Sequence, residues 1–101
     1  MTKRHDPATR TCELLAVALK LAARTGWRTL TRDAIAQAAD VSPGLVSARL
    51  GTMDAMRRSV MRQAVVERCV PVVAEGLVHG DRYARRADDA LRAAAAAWVA
   101  R

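Results

Sequence analysis

Phenylalanine is absent from this chain of 101 residues, aromatic side chains make up 3% of it, and isoleucine occurs once. Leu, Ile and Val together number 21, barely above the fraction below which chains tend to stay disordered. Strand formers are scarce outside short valine pairs, which excludes an all-β or a doubly wound fold. Only two cysteines are present, far apart and without zinc spacing, so neither a disulfide framework nor a zinc site is expected. Cys12 and Cys69 each lie in an apolar, helical-looking stretch and read as buried, inert thiols. No apolar run approaches the roughly 18 residues of a membrane span. The basic start, Met1–His5, lacks a following signal-peptide core, so the expected location is the cytoplasm, away from membranes. His5 and His79 lack metal-ligand spacing, and no Ser or Cys shares a constellation with His and a carboxylate. No catalytic residue, metal or cofactor is therefore expected, and the chain does not read as an enzyme.

What the sequence does have is alanine, 22 residues of it. Alanine is the best helix former, and its small side chain lets helices approach closely. The length suits one domain, and the expected fold class is all-α. Charge is the second positive feature. Arginine supplies 15 of the 17 basic residues, against ten acidic ones, for a net +7. Residues 1–62 hold eleven basic and five acidic side chains (+6), whereas residues 63–101 hold six and five (+1). An arginine-rich half suits bidentate recognition of phosphate and guanine.

Along the chain, Asp6-Pro7 reads as an N-cap and first helical residue, after the loose basic arm Met1–His5. Helical spacing then puts Leu14, Val17, Ala18 and Leu21 on one stripe, with Leu15, Leu19 and Ala22 beside it, until Gly26 stops the helix. Trp27 should pack where the chain turns. Thr31 can cap a short second helix with Ile35, Ala36 and Ala39 inward. Asp40-Val41-Ser42 interrupts, and Ser42-Pro43 opens a third helix ending at Gly51. Thr52 caps a long fourth helix expected to run from Met53 to near Val70, where Pro71 forces a break. A short helix over 71–78 and a last one capped by Asp81 and running to the terminus complete the expectation. Arg82, Arg85 and Arg86, beside Asp88 and Asp89, read as a salt-bridged, solvated face.

Two short helices joined by three residues, at Thr31–Leu50, have the pattern of a helix-turn-helix. Ala36 must be small where the helices cross, Val41 must fold over the core, and Val46 and Leu50 must both face inward. The outer face left to the second helix is Pro43, Gly44, Leu45, Ser47, Ala48 and Arg49. Small and apolar groups beside one cation make sense on a surface that something covers.

The run Gly26 to Gly44, with Thr31, Ile35-Ala36 and Val41-Ser42 in register, resembles the DNA-binding region of TetR-type transcriptional repressors. The resemblance covers roughly Leu14 to Val66, about half the chain. It implies a three-helix DNA-binding region over residues 1–52, followed by C-terminal helices over 53–101 that serve dimerisation. It also implies that Thr31 caps the second helix and touches phosphate, that Gly44 lets the recognition helix approach DNA, and that Leu45 and Ala48 read bases through methyl contacts. The candidate DNA-contacting residues are Arg28, Thr31, Arg32, Ser42, Pro43, Gly44, Leu45, Ser47, Ala48, Arg49 and Met53. The chain departs from the family pattern at Asp40 (usually Gly), Ser47 (usually Tyr), Arg49 (usually His or Tyr), Leu50 (usually Phe) and Met53 (usually Lys). Arg49, Arg57 and Arg58 are the cations available to replace the missing phosphate contacts.

The expected function is that of a sequence-specific, DNA-binding transcriptional regulator, a repressor acting as a homodimer on a palindromic operator in double-stranded DNA. A protein-interaction module built on a degenerate helix-turn-helix is the alternative. About thirty residues follow Pro71, too few to wall an effector cavity of some 300 Å³, so no small-molecule effector is expected. Val65, Val66, Val70, Val73, Leu77, Leu91, Trp98 and Val99 supply apolar surface for pairing instead.

Overall fold

Helix starts in this chain are set by short polar side chains placed just before runs of alanine, valine and leucine. The structure is a computed structural model that describes residues 6–101; the expected basic arm Met1–His5, with His5, lies outside the described residues. Seven helices and no strand occur among the described residues: α1 (Pro7–Thr25), α2 (Arg32–Ala39), α3 (Pro43–Leu50), α4 (Met53–Val66), α5 (Val70–Val78), α6 (Arg82–Arg85) and α7 (Asp89–Ala100). Among them no helix is long and apolar enough to cross a membrane.

Six of the seven starts carry a side-chain cap, in which Asp6, Thr31, Ser42, Thr52, Asp81 or Asp88 accepts a backbone N–H of the first turn. Each such cap contributes about 1 kcal/mol and fixes a boundary, which is why five of these six starts are readable in the sequence, the one at Asp88 being the exception. The ends are less readable. α4 stops at Val66, earlier than expected and without help from Pro71. Arg68 takes a left-handed conformation (φ 56°), the Cys69 N–H reaches the Ala64 carbonyl at 2.8 Å, and the Arg68 N–H reaches Val65 at 3.2 Å. This is a Schellman ending built on an arginine instead of a glycine. Pro71, expected to break α4, instead lies in the first turn of α5, where its missing N–H costs nothing.

The expectation of a long fourth helix and one or two short C-terminal ones is corrected accordingly. α4 has 14 residues against 19 in α1, and three helices follow it. Asp81 caps only the four-residue α6, and the terminal helix starts anew at Asp88. The ion pairing expected within that region is also corrected. Asp88 binds Arg68 on the α4–α5 link at 2.7 Å and Asp89 binds Arg92, so Arg82, Arg85 and Arg86 have no acidic partner among the described residues.

α1 packs against α2, α3, α4 and α5; α4 packs against α5 and α6; and α5 lies along α7. One buried cluster runs through all of them, from Leu14 and Ala18 in α1 through Ile35, Val46 and Val60 to Val73 and Leu91. Eight alanines belong to that cluster, and Met56 and Met61 fill it beside Trp27. The buried face of α1 is Leu14, Ala18, Leu19 and Ala22; Val17 and Leu21, assigned by periodicity to the main stripe, are only half-buried. Val73 and Leu91 are fully buried within the chain, which removes them from the expected pairing surface. Val66, Val78, Trp98 and Val99 do stay exposed. Cys12 is exposed, against the expectation of a buried thiol, because it lies on the outer side of α1. Cys69 is half-buried, and burial pushes its thiol pKa up.

Candidate functional site

The loop Gly26–Thr31 fixes where α2 begins. Gly26 ends α1 with its N–H on the Ala22 carbonyl (2.9 Å) and a φ of 115° that L side chains rarely adopt. The next two backbone N–H groups, of Trp27 and Arg28, both donate to the Glu75 carboxylate, at 2.7 and 2.8 Å. The Trp27 indole N–H donates to the Arg57 carbonyl at 2.9 Å, and the ring itself is buried. α4 and α5 therefore hold the entry to α2 from two sides. Arg28, a candidate DNA contact, is exposed and donates a guanidinium N–H to Nδ1 of His79 at 2.9 Å.

Thr31 accepts the Ala34 N–H and Ser42 accepts the Leu45 N–H, each at 3.1 Å, so both hydroxyl hydrogens are left to donate outward. Between α2 and α3 the chain turns at Asp40, left-handed at φ 58°; the Val41 N–H bonds the Ala36 carbonyl at 3.0 Å. Aspartate tolerates this conformation better than most residues, which accounts for a non-glycine there. α2 then packs on α3, and α3 on α4. Val46 and Leu50 are buried as their spacing requires.

The outer face of α3 is as expected in part. Ser42, Pro43, Gly44 and Ala48 are exposed, while Leu45 and Ser47 are half-buried. Thr31 is exposed and Arg32 half-buried at the start of α2. Met53 is half-buried and packs against the core, so it does not extend the exposed face. Arg49 is less outward than the pairing of Val46 with Leu50 implied. It is half-buried, and its Nε is out of water with no hydrogen-bond partner; the Nε of Arg57 is in the same state. Arginine stems commonly lie along apolar surface in this way. Among the described residues no ion pair holds Arg49, whereas Arg57 meets Asp54 at 3.5 Å. Arg58 is exposed.

Two features mark the start of α3. Its first turn carries no acidic side chain, a property shared with α1, α5 and α6 but not with α2, α4 and α7, so the positive end of the α3 dipole is unopposed. The second is Gly44. The other glycines answer to the fold: three have positive φ, and a Cβ on Gly76 would stand 2.5 Å from Met61 Cε. A Cβ on Gly44 would meet nothing nearer than Ser42 Oγ at 3.9 Å, and Gly44 has ordinary helical backbone. Glycine in a helix costs up to about 1 kcal/mol relative to alanine, and the fold gains nothing in return here.

Against protein-family models, curated proteins and solved structures alike, the chain matches nothing.

Glu75 is the residue that reading the sequence missed. The available signal is its isolation, since it is the single charge between Cys69 and Val78. A lone carboxylate in such a run needs donors, and here they are two backbone N–H groups of a distant loop.

Proposed function

We propose that this chain is a sequence-specific DNA-binding transcriptional regulator of the TetR-like helix-turn-helix kind, with α2 and α3 as the pair and α3 as the helix laid in the major groove. The observation that carries the reading is Gly44. An exposed helical glycine with no internal reason is accounted for by a second molecule approaching the backbone closely at the unopposed N-terminus of α3. A DNA phosphate fits that demand. The Ser42 hydroxyl at the α3 N-cap can donate beside it and the exposed Thr31 hydroxyl can donate from the start of α2, Leu45 and Ala48 offer methyl contacts to thymine, and Arg49 lacks an ion-pair partner among the described residues. The charge division, +6 over residues 1–62 and +1 beyond, favours the same half.

The regulator acts as a homodimer, with the near-neutral C-terminal helices as the pairing region and Val78, Trp98 and Val99 as its exposed apolar groups. Two copies then read two half-sites about 34 Å apart. One observation favours the rival protein-docking reading of α3: Met53 packs on the core where a phosphate-binding cation is expected. Selection of duplexes from a randomised pool separates the two. The expected result is an enriched inverted repeat whose log affinity falls linearly with log salt, at a slope of about −0.9 per phosphate contact. An unenriched pool at low salt refutes the proposal.

A further inference from the structure

The arginines around α6 gather on one face with no acidic partner among the described residues. Arg62 on α4 and Arg82, Arg85 and Arg86 at α6 are exposed, and none has an acidic partner among the described residues. The acids near them in sequence are occupied. Asp88 is held by Arg68, Asp89 by Arg92, and Glu67 by the Gln63 amide; Asp81 accepts the Tyr83 and Ala84 N–H groups at 3.0 Å each. Tyr83, the one tyrosine of the chain, stands among these cations. The guanidinium carbons of Arg62 and Arg82 lie 5.1 and 5.2 Å from its ring centre, within cation–π reach.

Two open hollows meet there. One, of about 240 Å³, is lined by Arg62, Val65, Val66, Tyr83 and Arg86. The other, of about 290 Å³, is lined by Arg82, Arg85 and Arg86 alone. Arg86 lines both, so an apolar seat and an all-arginine seat share a wall. Val66, 74% exposed, leaves the apolar seat uncovered.

We propose that this face docks an acidic peptide segment of a partner protein, with an apolar side chain in the valine–tyrosine hollow and carboxylates in the arginine hollow. Guanidinium forks match carboxylates with paired N–H donors, and desolvation at the hollow strengthens the pairing. A DNA backbone supplies the anions but no side chain for the apolar seat. Arg62 also stands nine residues beyond Met53, about 14 Å along α4 from the end that α3 packs near, so this surface is separate from the one assigned to DNA.

The single tyrosine gives a site-specific probe. With 3-fluorotyrosine incorporated, the fluorine resonance of Tyr83 is followed while the protein is titrated with a short Asp/Glu-rich peptide carrying one central Leu. The same peptide with Ala in place of Leu, and a DNA duplex of arbitrary sequence, are titrated in parallel. The expected result is a saturable shift with the Leu peptide, about tenfold weaker binding of the Ala peptide, and no shift with the duplex. Arg86→Ala, an exposed change that leaves the fold intact, abolishes the shift; Arg10→Ala, which removes the same charge elsewhere, leaves it unchanged. No shift with the Leu peptide, equal shifts with both peptides, or a shift with the duplex overturns the proposal, the last by giving this face to nucleic acid.

Discussion

Removing the Glu75 carboxylate should loosen the candidate site from behind. Its two oxygens accept the Trp27 and Arg28 N–H groups at 2.7 and 2.8 Å, the first bond half-buried and the second exposed. Hydrogen bonds to a charged group contribute about 1.5–3 kcal/mol each, with the exposed one near or below the low end. In Glu75→Ala both bonds are lost and the half-buried Trp27 N–H has no replacement acceptor, for a total of about 2–4 kcal/mol. In Glu75→Gln one oxygen remains and an amide N–H faces the other donor, so about half of that loss is expected. In a domain of this size about 1 kcal/mol moves Tm by 4–8 °C, so Glu75→Ala should melt roughly 10–25 °C lower. Urea denaturation followed by circular dichroism measures the loss. Amide hydrogen exchange at Trp27 and Arg28 locates it. Weaker duplex binding should accompany both changes, because the entry to α2 is what the clamp fixes. A Glu75→Ala protein within about 0.5 kcal/mol of the parent, with both amides still protected, would refute the clamp.

Arg49→Ala should weaken duplex binding by about 1–3 kcal/mol while the protein stays folded, with only the packing of its half-buried stem lost from the fold; equal affinity at low salt would show that Arg49 makes no contact. The Asp88 carboxyl is held at about 2, below its ordinary 3.8, chiefly by Arg68 and then by the Leu91 N–H. Its stabilising contribution is therefore complete above about pH 5 and disappears as pH falls through 2, and Asp88→Asn should flatten that part of the acid transition. An identical acid transition in Asp88→Asn would contradict this. Gly76→Ala should destabilise by about 1–3 kcal/mol, because the new Cβ meets Ala84 Cβ at 2.8 Å as well as the movable Met61 tip; Ala84→Gly in the same chain should recover part of the loss.

What the sequence revealed and what it hid divide along physical lines. Helix starts were legible because a cap is a local event: Asp6, Thr31, Ser42 and Thr52 each bond an N–H three residues on. The end of α4 was hidden because an arginine, not a glycine, takes the left-handed position there, and nothing local to Arg68 announces it. The break before α7 was hidden for a related reason, since Asp88 is fixed by Arg68 from twenty residues away. In the candidate site, Val46 and Leu50 were legible from their i, i+4 spacing, and the outer face of α3 followed as the remainder. Arg49's partial burial, the Arg28–His79 contact and the Glu75 clamp were not, because each depends on how separate helices pack.

The central claim is that α3 meets DNA where Gly44 lies, and Gly44→Ala tests it most directly. Within the chain the added Cβ enters open space on a helix, so the variant should be as stable as the parent or up to about 1 kcal/mol more stable. Affinity for the duplex selected by the parent protein should fall at the same time, and Gly44→Leu should reduce it further without unfolding the protein. Stability held or raised while binding falls is the signature of a glycine kept for an external backbone contact. Unchanged duplex affinity in a folded Gly44→Leu protein would contradict the claim.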